Sequence, residues 1–156
     1  MKLILSLCLL CFSFAASAQT YYVLRHFEKV QGVDNPPLSD IGQAQAQTLA
    51  VLLADKGLQC IYSTDYVRTR SSVEPLATKI HTDINLYDPR QPDALIEQMR
   101  KLSQDCVIVG HSNTVADIVT RLGGTAKELT EKDYGDVFMV VTDNKGSTQT
   151  YRVNIQ

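Results

Sequence analysis

Metal-binding spacing is missing from this chain. Its three histidines, His26, His81 and His111, are far apart. Neither a His-x-x-x-His nor a Cys-x-x-Cys pair occurs. That argues against the common zinc frameworks and for chemistry without a metal or other cofactor. A surplus of positive charge is missing too. The chain has 15 Lys+Arg against 17 Asp+Glu and a formal net charge of −2. So mild an acidity makes a poor non-specific nucleic-acid binder, and any anion site must be a local cluster of cations. There are no internal repeats, low-complexity tracts or linkers. Beyond residue 18 no apolar run is long enough to span a bilayer, so no stable membrane insertion is expected.

What is present begins with a leader. Met1-Lys2 is a short basic start, residues 3–14 are apolar, and Ala16-Ser17-Ala18 is a small-x-small cleavage site. These features predict a secretory signal peptide over residues 1–18, removed after Ala18. A lipoprotein signal fits less well, because leucines stand where a small residue should precede Cys8 or Cys11. The expected mature protein is a single domain over residues 19–156, long enough for a real core. A Sec-type signal fits export to a bacterial periplasm. Cys8 and Cys11 leave with the leader, while Cys60 and Cys106 stay. An oxidising compartment permits a bridge between them. Two buried thiols are the alternative, and the oligomeric state is open.

Three short apolar runs then end in cations or histidines. Tyr21-Tyr22-Val23-Leu24 runs into Arg25-His26, Cys60-Ile61-Tyr62-Ser63 is followed by Arg68 and Arg70, and Cys106-Val107-Ile108-Val109-Gly110 meets His111. Buried strands read this way when they deliver polar groups to their carboxyl ends, where open α/β sheets bind ligands. Between the runs, apolar residues recur at helical spacing. Ser39 caps a helix that Gly57 ends, and a second helix starts near Asp65 or Tyr66, with Pro75 expected to bend or interrupt it. A short strand is predicted over 83–87, a third helix from Pro92, and a fourth after His111 until Gly123-Gly124. Two strands near 137–142 and 149–154 flank the turn signal Asp143-Asn144-Lys145-Gly146. The pattern predicts a three-layer α/β/α sandwich: a mostly parallel central sheet with a C-terminal antiparallel hairpin.

These residues bear on more than one chemistry. Gly110-His111-Ser112-Asn113-Thr114 nearly spells a hydrolase nucleophile elbow, but Thr114 stands where the sharp turn wants glycine. A histidine nucleophile uses more of the residues. Neutral imidazole can attack a phosphoryl group if positive charge surrounds the transferring oxygens. Arg25, Arg68 and His111 can supply that charge and hydrogen bonding, and a carboxyl group would protonate the leaving oxygen. Arg70 projects about 200° from Arg68 around a helix axis, so only one of the two should enter a pocket easily. His81 is expected on the surface.

Leu24-Arg25-His26, Leu38-Ser39-x-x-Gly42, Tyr62-Ser63 with Arg68-Thr69-Arg70, and Val109-Gly110-His111-Ser112-Asn113 occur in this order. Together they resemble the histidine phosphatase superfamily, with its phosphoglycerate-mutase-like fold. The resemblance implies that His26 is the nucleophile and that Arg25, Arg68 and His111 complete a phosphate pocket, with Asn113 also approaching the phosphate. It places Gly42 where backbone orients the nucleophilic imidazole. Phe27 departs from the glycine commonest at its position. Asp88, at the end of the third predicted strand, is the favoured general acid over Glu28. Loops 30–37 and 123–136 are expected to flank the site. The implied activity is an exported, metal-independent phosphomonoesterase that forms a phosphohistidine on His26 and takes a small phosphorylated substrate. Alternatives are a phosphatase for one envelope phosphosugar or for phosphohistidine, or a catalytically weak phosphate-binding protein.

Overall fold

Strand β1 (Gln19–Arg25) shows how the sheet is buried on both faces. Tyr21 and Val23 pack on one side, and Leu24 packs on the other. The computed structural model describes residues 18–156. The leader read in the sequence falls on residues 1–17 and Ala18, so all but its last residue lies outside the described part. After β1 come α1 (Asp40–Leu53), β2 (Cys60–Ser63), α2 (Val67–Ile80) and β3 (Ile84–Leu86). Next follow α3 (Pro92–Leu102), β4 (Cys106–Gly110), α4 (Ser112–Arg121), β5 (Asp136–Thr142) and β6 (Thr148–Asn154). The sheet order is β3-β2-β4-β1-β5-β6. The first four of these strands run parallel, and β5 and β6 are antiparallel to their neighbours.

Two apolar clusters make the three layers. Helices α1 and α2 bring Leu49, Ala50, Val73 and Leu76 against Leu24, Ile61, Val107 and Val109. Helices α3 and α4 bring Leu95, Met99, Val115 and Ile118 against Val23, Tyr62 and Ile108. Burying each such aliphatic side chain contributes about 1.5–3 kcal/mol. Every residue of β4 is buried, as a central parallel strand requires.

Local sequence explains the ends of the helices. Ser39 Oγ accepts from the Gly42 amide at 3.2 Å and caps α1. Pro92 starts α3 at a position where no helical N–H is lost. Pro75 lies inside α2 without ending it, so the expected interruption does not occur. The buried Val73, Leu76 and Ala77 anchor the helix on both sides of the proline, and that packing outweighs its local cost. Among the described residues, no helix is long and apolar enough to cross a membrane.

Cys60 and Cys106 face each other in register on β2 and β4, and their sulfurs are bonded. The Cα atoms are 4.7 Å apart, within the range a disulfide spans.

Candidate active site

Strands β1 and β4 are parallel neighbours, with Arg25 opposite Gly110. Their carboxyl ends therefore deliver His26 and His111 side by side. The His26 amide donates to the Gly110 carbonyl at 3.0 Å and ties the two chain segments together just beyond the sheet. The imidazole centroids are 5.7 Å apart. Gly110 leaves room for Thr114 and Tyr87 to pack against the end of β4: a Cβ there would sit 2.6 Å from Thr114 Oγ1 and 3.0 Å from the Tyr87 hydroxyl.

His26 is buried, and its Nδ1 lies 2.8 Å from the Phe27 carbonyl. A carbonyl can only accept, so Nδ1 carries the proton and Nε2 keeps its lone pair. Burial, reinforced by the charges of Arg25 and Arg68, lowers its pKa from 6.5 to about 3. The ring is neutral and nucleophilic at any ordinary pH. His111 has the opposite tautomer. Arg68 Nη2 lies 3.4 Å from its Nδ1, which must accept, and Nε2 therefore donates to Thr64 Oγ1 at 2.9 Å. Burial and the Arg68 charge lower its pKa to about 4. With both ring nitrogens so occupied, His111 is not arranged to activate Ser112 as the nucleophile-elbow reading would need.

Arg68 reaches this place from the first turn of α2, and its guanidinium lies 4.5 Å from the Tyr66 ring centroid. Ser72 of the same helix donates to the Arg68 carbonyl and accepts from the Phe27 amide at 2.9 Å. One hydroxyl thus links the nucleophile segment to the arginine helix. Arg70 projects away and pairs with Asp65 at 3.1 Å on the surface. Arg25 is almost fully buried and bonds the loop before β5. Its Nη1 donates to the Thr130 carbonyl at 2.6 Å, and its Nη2 donates to Glu131 and to the Tyr134 hydroxyl. Tyr134 also lies under the guanidinium, 4.2 Å from centroid to Cζ. Among the described residues, the two buried side-chain nitrogens without a hydrogen-bond partner are Arg25 Nε and Arg68 Nε. A buried, orphaned donor on each of two arginines, one buried and one half-buried, is what an anion would satisfy.

These groups surround a cavity of about 410 Å³. Larger hollows of about 670 and 620 Å³ lie elsewhere, but neither touches His26 or His111. Ser112, Asn113 and Thr114 line the cavity from the first turn of α4, whose helix end favours an anion. Among the described residues, no cluster of three or more His, Cys, Asp or Glu is placed to hold a metal ion.

Five of the residues singled out in the sequence meet at this cavity: Arg25, His26, Arg68, His111 and Asn113. Asp88 does not. Both of its oxygens accept from the Arg90 guanidinium, at 2.9 and 2.8 Å, and those bonds lower its pKa to about 2. It is absent from the cavity lining, although its neighbours Pro89 and Arg90 belong to it. Glu28 is also engaged, accepting from Ser39 Oγ at 2.8 Å. Gly42 has a different task from the one expected. A Cβ there would lie 2.0 Å from the Glu28 carbonyl oxygen, so Gly42 seats the segment that follows the nucleophile. The carbonyl that orients the imidazole belongs to Phe27. Thr64, Lys29, Tyr134 and Glu131 were missed. The second flanking loop was legible, but its individual residues carry no local pattern that marks them.

The comparison that decides the family is a match of residues 18–146 to the model of the histidine phosphatase superfamily (branch 1). The chain belongs to that superfamily. Membership makes this histidine phosphatase a hydrolase of the phosphatase class. Among solved structures it is similar to the protein histidine phosphatase SixA complexed with tungstate. That likeness has a TM-score of 0.70 at 14% identity, covering 86% of this chain and 96% of the other. It is also similar to a mycobacterial glucosyl-3-phosphoglycerate phosphatase, with TM-score 0.64, 14% identity, and 88% and 98% covered. A phosphoserine phosphatase from Entamoeba histolytica gives 0.65 at 13% identity, with 88% and 98% covered. At these identities the likeness is one of fold. No curated protein matches the chain.

Proposed function

We propose that this histidine phosphatase is an exported, metal-independent phosphomonoesterase that works through a phosphohistidine on His26. The observation carrying this reading is the Nδ1–H of His26 held on the Phe27 carbonyl, which leaves a neutral Nε2 facing two arginines with orphaned donors. In the first step Nε2 bonds to phosphorus as the bond to the leaving oxygen breaks. In the second, water attacks phosphorus and the N–P bond breaks, releasing phosphate. Arg25 and Arg68 balance the charge on the transferring oxygens, and Asn113 adds a donor. His111 is held as a neutral donor-acceptor beside them by Arg68 and Thr64.

Export is supported by the leader pattern and by the Cys60–Cys106 bond, because such a bond persists in an oxidising compartment. A bacterial periplasm fits both. The test is hydrolysis of p-nitrophenyl phosphate in excess chelator, beside His26→Ala. Turnover that resists chelator and disappears in the variant is expected, together with acid-labile phosphate trapped on the wild type alone. Turnover that persists in His26→Ala overturns the mechanism.

A further inference from the structure

Asp88 does not line the cavity, so a proton donor for the leaving oxygen is to be sought among the groups that do. Among the described residues, Glu131 is the carboxylate that lines the cavity shared by His26, Arg68 and His111. Its side chain is 63% exposed, so it is open to a ligand there. Its position is built. Asp133 accepts from the Thr130 amide and hydroxyl, both at 2.7 Å, and pairs with Lys127 at 2.7 Å. These bonds fix the turn that carries Glu131. Tyr134, whose ring centroid is 5.9 Å from that of His26, donates its hydroxyl to Glu131 Oε2 at 2.6 Å. Arg25 holds Oε1. The carboxylate therefore stands at the arginine that receives the phosphate, on a tyrosine that stands beside the nucleophile.

We propose that Glu131 is the general acid and base of the reaction: it protonates the leaving oxygen and then activates the water that clears the phosphohistidine. The proposal rests on the phosphohistidine reading above. In the first step the Glu131 carboxyl gives its proton to the oxygen whose bond to phosphorus breaks, which releases the alcohol. In the second, the resulting carboxylate takes a proton from water as the water oxygen bonds to phosphorus and the N–P bond breaks. Phosphate leaves, and His26 and protonated Glu131 are restored. Without a ligand, the Tyr134 hydroxyl and Arg25 hold Glu131 below the usual carboxylate range. A bound phosphate ester changes both influences. It draws donors of Arg25 to its own oxygens and sets a like charge beside the carboxylate, and each change favours the protonated form. An ester that arrives as the monoanion brings the proton with it.

The test compares kcat/KM for p-nitrophenyl phosphate and for an alkyl phosphate in wild type, Glu131→Gln and Glu131→Asp. Nitrophenolate needs little protonation, whereas an alkoxide needs it fully. Glu131→Gln is expected to lose about 100-fold or more on the alkyl ester and less than about tenfold on the aryl ester. Glu131→Asp should recover much of the difference. The ratio of the two esters within one preparation does not depend on the folded fraction, so partial misfolding cannot mimic the result. Equal loss on both esters would show that Glu131 only steadies Arg25, and a gain on both would show that it merely occupies the phosphate's place. Either outcome overturns the proposal while turnover that needs His26 stands. Wild-type turnover that survives His26→Ala would instead remove the reading beneath it.

Discussion

Arg68 and His111 meet edge to edge, with Nη2 3.4 Å from Nδ1, so the guanidinium decides which nitrogen of the imidazole carries the proton. Removing the arginine should therefore change more than charge. Arg68→Ala is expected to lose about 100-fold or more in kcat/KM through lost stabilisation of the transferring oxygens. The His111 pKa should move up as the neighbouring positive charge disappears. Nitrogen chemical shifts of the two imidazoles, followed against pH, would show it. An unmoved His111 would mean that burial alone keeps the ring neutral.

The histidines also set a pH dependence of stability. Burial, the leading cause for each, holds His26 near 3 and His111 near 4 in the folded protein, against 6.5 when unfolded. Between those values the unfolded chain binds more protons than the folded one. The stability these sites contribute is thus fullest above about pH 6.5 and falls as pH drops toward 3. Urea midpoints measured from pH 7 to pH 4 should decline, and more gently in His26→Ala. Equal slopes in the two proteins would refute the assignment of this dependence to His26.

Gly42 tests the seating of the nucleophile segment. An added methyl group would meet the Glu28 carbonyl oxygen at 2.0 Å, and backbone cannot turn aside as a flexible side chain can. Gly42→Ala should cost about 1–3 kcal/mol by overpacking and should lower kcat more than it raises KM. Gly57 is a useful contrast, because open space surrounds its Cβ position and its φ of +70° makes the cost one of backbone strain far from the cavity. Denaturation curves and kinetics for both variants separate the two effects.

The disulfide joins the amino ends of β2 and β4, whereas the cavity lies beyond the carboxyl ends. Reduction should thus lower stability by about 2–4 kcal/mol while folded protein keeps most of its turnover. Thiol alkylation of the unreduced, denatured protein should label neither Cys60 nor Cys106. Labelling of both would show that the protein carries free thiols.

Much of this site was legible because its parts sit at the ends of regular elements. Arg25, His26 and His111 end buried strands, so periodicity ranks them as neighbours, whereas the choice of Arg68 over Arg70 at the start of a helix comes from the family resemblance. The three layers follow from the same alternation. A strand end brings the Asp88 segment to the cavity without fixing which partner its carboxylate takes. Arg90, two positions on, takes its carboxylate. Glu131 and Tyr134 were beyond reach for another reason. Their placement depends on Asp133 and Arg25, contacts up to 109 residues apart that no local pattern encodes. Pro75 shows the same limit, since buried neighbours overrule a strong local signal.

The bond between Cys60 and Cys106 closes residues 60–106 into a covalent ring. Arg68 rides on the ring, while His26 and His111 hang from its two tails. A protease that cuts once inside the ring leaves a single molecule, with the nucleophile, the arginine and the second histidine still joined. Such a nicked protein would run as one band on a gel without reductant and as two with it.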